Sequence, residues 1–345
     1  MEHTTNIVAL AASLARLPGF GGIQCGDLEP LGNKGVSHSH WRITGRQLVV
    51  RVARFHQWGF TPEAALVYEA TAFERASASN HTPDLIAKIS CCKALPTGAL
   101  VVLEIPGRAP RLPDDMIAIA HALASLHTLP LPPRVKRSPL LVHDNAFANT
   151  LAVIETQAES LSHANLTHAS LSAIGEELEW ARAEVDRTEC SPSSLTLAGT
   201  DTHPGNFLID ETGKAWFVDL EKLLYGAAAI DLAHATLPTS TGWDSECAKE
   251  LSRDDVRRFH RTYFEQIGPQ GTADGLPVLA KFRRLTWLRT ITWFARWRAE
   301  WSKSRPIART QTARHVTAHV NACLTPTSIA RQRLEWLGST STDLI

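Results

Sequence analysis

Between residues 199 and 221 the chain gathers the residue types that hold and move phosphate. Gly199-Thr200-Asp201-Thr202-His203-Pro204-Gly205-Asn206-Phe207-Leu208-Ile209-Asp210 is followed, after a short turn, by Trp216-Phe217-Val218-Asp219-Leu220-Glu221. Phosphoryl transfer needs a carboxylate that orients the attacking hydroxyl, and hard oxygen ligands that keep Mg²⁺ on the nucleotide phosphates. Asp201 supplies the first, and Asn206 and Asp219 the second. The spacing D-x-x-x-x-N puts a carboxylate and an amide oxygen on one tight loop bent by Pro204 and Gly205. A hairpin through Glu211-Thr212-Gly213-Lys214 then predicts that Asp219 returns beside Asn206. A plainer explanation exists, because Asp and Asn commonly cap turns. What favours the chemical reading is the company: a strand-borne Asp219, a small β region upstream, and a downstream segment running from Gly226 to Asp231.

The elements that must position these residues are legible in outline. Gly45-Arg46-Gln47 followed by Leu48-Val49-Val50-Arg51-Val52-Ala53 predicts a turn and a β-branched strand within a hairpin. Residues 62–78 predict a helix opened by Thr61 and Pro62, with Leu66, Ala70 and Phe73 on one face. Strand character returns at 85–90 and 99–104, so a small sheet carrying one helix is expected from 28 to 103. After Pro106-Gly107 the pattern turns helical: Met116, Ile119, Ala120, Leu123 and Leu126 fall at core spacing within 114–127, and Pro130, Pro132 and Pro133 close that helix. Residues 140–187 are expected to be mostly helical, with Glu176, Glu177 and Glu179 on a solvated face. Short strands and a loop are expected over 195–219, and helix from 228 onward. No repeat or low-complexity tract interrupts this order.

The loop and following aspartate resemble the H-G-D-x-H-P-x-N catalytic loop and metal aspartate of the aminoglycoside phosphotransferase and choline kinase superfamily, over residues 28–236. That resemblance implies a catalytic role for Asp201, Mg²⁺ ligation by Asn206 and Asp219, a second acid at Glu221, and a structural role for Asp231. The family's first histidine and glycine are replaced here by Gly199 and Thr200, while His203 matches its second histidine. In the amino-terminal region, Leu31 to Ile43 is similar to the family's nucleotide loop, where Lys34, Gly35 and Ser37 would approach phosphates. Arg51 stands where kinases place a phosphate-binding lysine, and its forked guanidinium suits a triphosphate. Glu69 is the expected partner of Arg51, with Glu74 as the alternative. The Glu104 carbonyl and Ile105 N–H would meet the adenine edge at a hinge.

Composition excludes several other classes. Lys plus Arg (35) equal Asp plus Glu (35), so no net field recruits nucleic acid or an anionic membrane. No run reaches the ~20 apolar residues that span a bilayer, and residues 1–19 read as a short amphipathic helix of a cytoplasmic protein rather than a signal peptide. Cys25, Cys91, Cys92, Cys190, Cys247 and Cys323 show no paired spacing, so reduced, mostly buried thiols are expected and no structural zinc. His38, His40 and His203 read as polar loop residues. Trp287, Trp293, Trp297 and Trp301 belong to one helix, the last three at four-residue spacing. Such a stripe is usually core, and the competing reading is an aromatic acceptor pocket. Aromatic faces suit a quaternary ammonium, whereas Arg289, Arg296 and Arg298 favour an anionic or polar group.

The expectation is therefore an α+β, protein-kinase-like two-lobed fold: a nucleotide-binding lobe over 1–105 and a catalytic and acceptor-binding lobe over 106–345. It would use ATP and Mg²⁺ to phosphorylate a hydroxyl of a small molecule such as a sugar or amino alcohol. The competing functions are a catalytically silent nucleotide or metabolite sensor and an aminoglycoside-type antibiotic phosphotransferase. Oligomeric state is left open.

Overall fold

The strand predicted around Arg51 sits at the centre of a five-stranded antiparallel sheet. The computed structural model describes residues 5–32, 37–54, 58–185, 187, 195–304 and 311–337, with backbone alone for 301–304 and 311–312. Helix α1 (Ile7–Leu14), capped by the Asn6 side chain, precedes strands β1 (Leu28–Pro30), β2 (His38–Ile43) and β3 (Leu48–Ala53). Helix α2 (Pro62–Ala76) follows, and then β4 (Leu85–Ile89) and β5 (Ala99–Leu103) complete a sheet of order β1-β2-β3-β5-β4. The two-residue period of β3 divides its side chains. Val50 and Val52 join Leu10 and Leu14 of α1 in an apolar cluster on one face. Arg51 faces the other way, toward α2. Thr61 accepts from the Ala64 N–H and Pro62 occupies the first turn, which fixes where α2 begins.

The larger lobe starts with α3 (Met116–His127), α4 (Ala146–Ala158) and α5 (His168–Val185). Four short strands follow, β6 (Leu195–Ala198), β7 (Phe207–Ile209), β8 (Ala215–Phe217) and β9 (Leu224–Ala227), pairing β6 with β9 and β7 with β8. The remainder is α6 (Ala228–Thr236), α7 (Pro238–Thr241), α8 (Arg253–Ser304), α9 (Gln311–Cys323) and α10 (Pro326–Leu337). Helix α8 is interrupted at Gly268, whose φ of 79° belongs to the left-handed region and precedes Pro269. Helix α8 as a whole packs against α3, α4 and α6 and forms the centre of the lobe, its segment before the break meeting α3 through Tyr263, which bonds His127 at 2.9 Å.

The protein-kinase-like fold is as expected, with particular corrections. Glu177 is not solvated: it is fully buried and ion-paired to Arg284 at 2.6 Å and Arg333 at 2.7 Å. His38 and His40 lie within β2 rather than in a loop, and His38 is buried. Of the described cysteines only Cys247 and Cys323 are buried; Cys92 is exposed and Cys25 and Cys91 are half-buried. The tryptophans divide: Trp287 is core and packs on Trp336, whereas Trp293 is 36% exposed and meets Trp243 edge-on at 5.3 Å. The side chain of Trp301 lies outside the described residues. Among the described residues no helix is long and apolar enough to cross a membrane.

Candidate active site

The loop from Gly199 to Asn206 is held by one buried carboxylate. Asp231, at the start of α6, accepts from the Gly199 N–H at 2.6 Å, the Thr200 N–H at 2.7 Å and the His127 imidazole at 2.9 Å. Its own carbonyl accepts from the Thr202 hydroxyl. These bonds hold Thr200 at φ 57°, a left-handed conformation costly for a β-branched residue. The Thr200 hydroxyl also donates to the Lys222 carbonyl at 2.9 Å. Gly199 has no room for a side chain, because a Cβ there would lie 2.8 Å from Phe217 and Thr202. The departures at 199 and 200 therefore sit inside a fully bonded loop.

Asp201 follows this anchor. Its Oδ2 is 2.6 Å from Lys222 Nζ and its Oδ1 is 3.9 Å from His234 Nε2. Burial alone would raise its pKa, but Lys222, His203 and His234 outweigh that and hold it well below the usual carboxylate range. The carboxylate is thus ionised and oriented, a poor proton store and a good positioning group. Asn206 donates its side-chain N–H to the Asp201 carbonyl at 2.8 Å, leaving the amide oxygen as its other polar atom. The Asp210 carboxylate organises the β7–β8 turn by accepting from the Thr212 and Lys214 N–H groups. Val218 N–H then reaches the Asn206 carbonyl at 3.0 Å, so Asp219 comes back beside the loop.

From the smaller lobe, Arg51 crosses to the same place. Its Nε donates to Glu69 at 3.0 Å, Nη2 to Asp219 at 2.8 Å and Nη1 to the Val218 carbonyl at 3.1 Å. The structure pairs Arg51 with Glu69, the first of the two acids considered. Burial and then Arg51 push His40 well below its ordinary pKa, so the neutral ring accepts from Arg51 Nη1 at 3.2 Å. Ser37 donates to Glu221 at 2.8 Å, and His38 bridges Glu69 at 3.0 Å and Glu221 at 3.5 Å. Burial first, and then neighbouring Asp219, push Glu221 up to about 7.

Ligand atoms of His38, Asp219 and Glu221 lie within 4.8 Å of one another. Two carboxylates make this a mainly hard donor set that fits Mg²⁺ better than a softer metal, and the bond from the Val218 N–H to the Asn206 carbonyl brings Asn206 alongside it. His38 is already committed to Glu69. Glu104 and Ile105 lie beyond this cluster, just past β5. The Glu104 carboxylate accepts from Arg42 at 2.7 Å. The Glu104 carbonyl and Ile105 N–H have no backbone hydrogen bond among the described residues, as an adenine-binding edge requires. Lys34 and Gly35 lie outside the described residues.

Lys222, His234 and Asp244 were not legible as site residues in the sequence. Lys222 directly follows Glu221 and His234 is three residues past Asp231, and that proximity was the available signal. Asp244 abuts the loop so closely that a Cβ on Gly205 would lie 2.6 Å from its carboxylate.

The model of a phosphotransferase enzyme family matches residues 27–267. Among solved structures, choline kinase from Cryptosporidium parvum is 16% identical, covers 96% of this chain and 95% of its own, and has a TM-score of 0.60. A choline/ethanolamine kinase family protein from Mesorhizobium loti is 20% identical over 94% of this chain and 98% of its own, with a TM-score of 0.61. An ADP-bound aminoglycoside phosphotransferase is 13% identical over 88% and 94%, with a TM-score of 0.51. No curated protein matches the chain by sequence.

Proposed function

The chain belongs to the phosphotransferase enzyme family, and from that premise we propose that it transfers the γ-phosphoryl group of ATP to a hydroxyl of a small molecule. The observation that carries this reading is the convergence of Asp201, Asn206 and Asp219 under Arg51. ADP in a solved structure of similar fold supports nucleotide use.

The residues divide the work as follows. Asp201 orients the acceptor hydroxyl in line with the phosphorus, so that a loose transition state needs positioning more than proton abstraction. Asn206 and Asp219 would hold Mg²⁺, with Glu221 beside them; the ion supplies neutralisation of phosphate charge. Arg51, braced by Glu69, faces the phosphates, and the N–H groups and hydroxyl around Ser37 line their approach. Lys222 lies against Asp201 where charge develops on the transferred group. The Glu104 carbonyl and Ile105 N–H read the adenine. Residues 1–105 thus carry the nucleotide and 106–345 the chemistry and the acceptor.

The sensor alternative rested on Gly199 and Thr200, and the intact bonding of both to Asp231 favours the enzyme. The test is coupled nucleotide turnover with Mg²⁺ and pooled hydroxyl acceptors, alongside Asp201→Ala and Asp219→Ala. Asp201→Ala is expected to abolish turnover while keeping nucleotide affinity, and Asp219→Ala to abolish Mg²⁺-dependent nucleotide binding in a fluorescence titration. Full turnover by Asp201→Ala would refute the assignment.

A further inference from the structure

Among the described residues, one cation in the larger lobe lacks an acidic partner. Arg289, on α8, is half-buried and donates Nη2–H to the Thr200 carbonyl at 2.8 Å, one residue before Asp201. Among the described residues no carboxylate lies within ion-pair distance of it. The acids whose charge it feels are Asp201 and Asp231, and both are taken: Asp201 by Lys222, Asp231 by His127 and two backbone N–H groups. Burial pushes the guanidinium pKa down, as expected for a charge without a counter-ion.

The other arginines on this stretch of α8 have partners. Arg283 pairs with Glu335, Arg284 with Glu177 and Arg296 with Glu300, while Arg298 donates to the carbonyls of Ala164 and Asn165. Two imidazoles complete the surroundings of Asp201. His234 is 8% exposed, and its buried Nδ1 has no hydrogen-bond partner; His203 Nδ1 has none either. One turn along α8 from Arg289, Trp293 stacks edge-on against Trp243.

We propose that Arg289, with His234 beside it and His203 next to His234, binds an anionic group on the acceptor, so that the substrate is a hydroxylated carboxylate or phosphate ester rather than a quaternary ammonium. This deepens the phosphotransferase reading and rests on it. The hydroxyl oxygen attacks the γ-phosphorus, the bond to the β,γ-bridging oxygen breaks with its electron pair leaving on ADP, and the hydroxyl proton departs past Asp201 to solvent. The acceptor anion meanwhile takes the free guanidinium N–H groups, a charge-assisted pair that fixes orientation. A cationic acceptor would instead meet Arg289 as a like charge.

Three acceptor pools decide the matter with wild-type enzyme, Mg²⁺ and ATP: hydroxy acids such as glycerate and lactate, phosphate-bearing alcohols such as glycerol phosphate, and uncharged or cationic alcohols including choline, ethanolamine and aminoglycosides. Turnover is expected with an anionic pool, and which of the two works names the anion. Arg289→Gln should raise KM for that acceptor about 10- to 100-fold, as for loss of a charged hydrogen bond. Nucleotide affinity should be unchanged, and Arg289→Lys should recover part of the loss. Preference for choline, ethanolamine or neutral alcohols, or an unchanged KM in Arg289→Gln, overturns the proposal and leaves the phosphotransferase reading standing. Absence of turnover with every pool removes both.

Discussion

Lys222 is the residue that sets the charge state of Asp201. Its ammonium lies 2.6 Å from Oδ2 and is the largest of the charges that pull the Asp201 pKa down against burial. A carboxylate that must be ionised to work, and whose pKa is depressed, remains active until the pH falls through that depressed value. Asp201 should therefore contribute no acid limb to wild-type turnover in the ordinary carboxylate range of about pH 4–5. Lys222→Met should lower kcat by about 10²–10³, the cost of removing one preorganised donor, and should bring an acid limb up toward that range. A pH–rate profile of the two proteins checks this, and identical profiles would remove Lys222 from the site. The spacing of Asp201 and Asn206 was readable because both sit on one short loop, where sequence distance nearly equals spatial distance. Asp219 was readable because a hairpin is local too. Lys222 was not, although it is only three residues past Asp219. Its direction depends on Thr200 holding the Lys222 carbonyl and on Asp231 holding Thr200, bonds spanning 22 and 31 residues.

At the scale of elements, local propensity located the helices and strands well and side-chain burial less well. Thr61 with Pro62 marked the start of α2, and the β-branched run marked β3, because caps and strand alternation are written in adjacent residues. Glu177 was misread because three glutamates on α5 resemble a solvated face. What buries it comes from far along the chain: Arg284 lies 107 residues away and Arg333 lies 156 away. A neighbouring pair joins the same helices. Arg283 on α8, 4% exposed, holds Glu335 on α10 at 2.7 Å. Burial would raise the Glu335 pKa, yet Arg283 and Gln332 bring it below the ordinary value of 4.5. A depressed carboxyl contributes stability above its unfolded pKa and loses it as pH falls through the folded value. Glu335→Gln should thus cost about 1.5–3 kcal/mol at pH 7, and the gap to wild type should close as the pH drops below 4.5. Chemical denaturation across that range reads the difference; a gap that persists at low pH would mean that packing, not charge, supplies it.

The molecule as a whole is divided by its sheet but not by its core. The outer face of the sheet packs on α1 as a separate apolar cluster. Leu66 and Phe73 of α2, and Leu100 and Val102 of β5, instead join Ile119, Leu123, Phe217 and Leu220 in one cluster continuing through the larger lobe. Polar bonds cross at the same level. Tyr68 donates to the Leu223 carbonyl at 2.7 Å, the His81 carbonyl accepts from the Phe217 N–H at 2.8 Å, and the His81 imidazole reaches the Ala215 carbonyl at 2.7 Å. Exposing α2 therefore exposes the side of α3 and the β7–β8 hairpin that carries Asp219. Two lobes so joined should unfold together, with far-UV dichroism and tryptophan fluorescence giving coincident denaturation curves. Mg²⁺ and ATP at a hundred times Kd should then displace the whole transition by about 2.7 kcal/mol, because a ligand that binds only the folded protein stabilises everything that unfolds with its site. Two separate transitions, of which only one responds to nucleotide, would instead show that the α2 cluster is too small to couple the lobes and that the smaller lobe opens by itself.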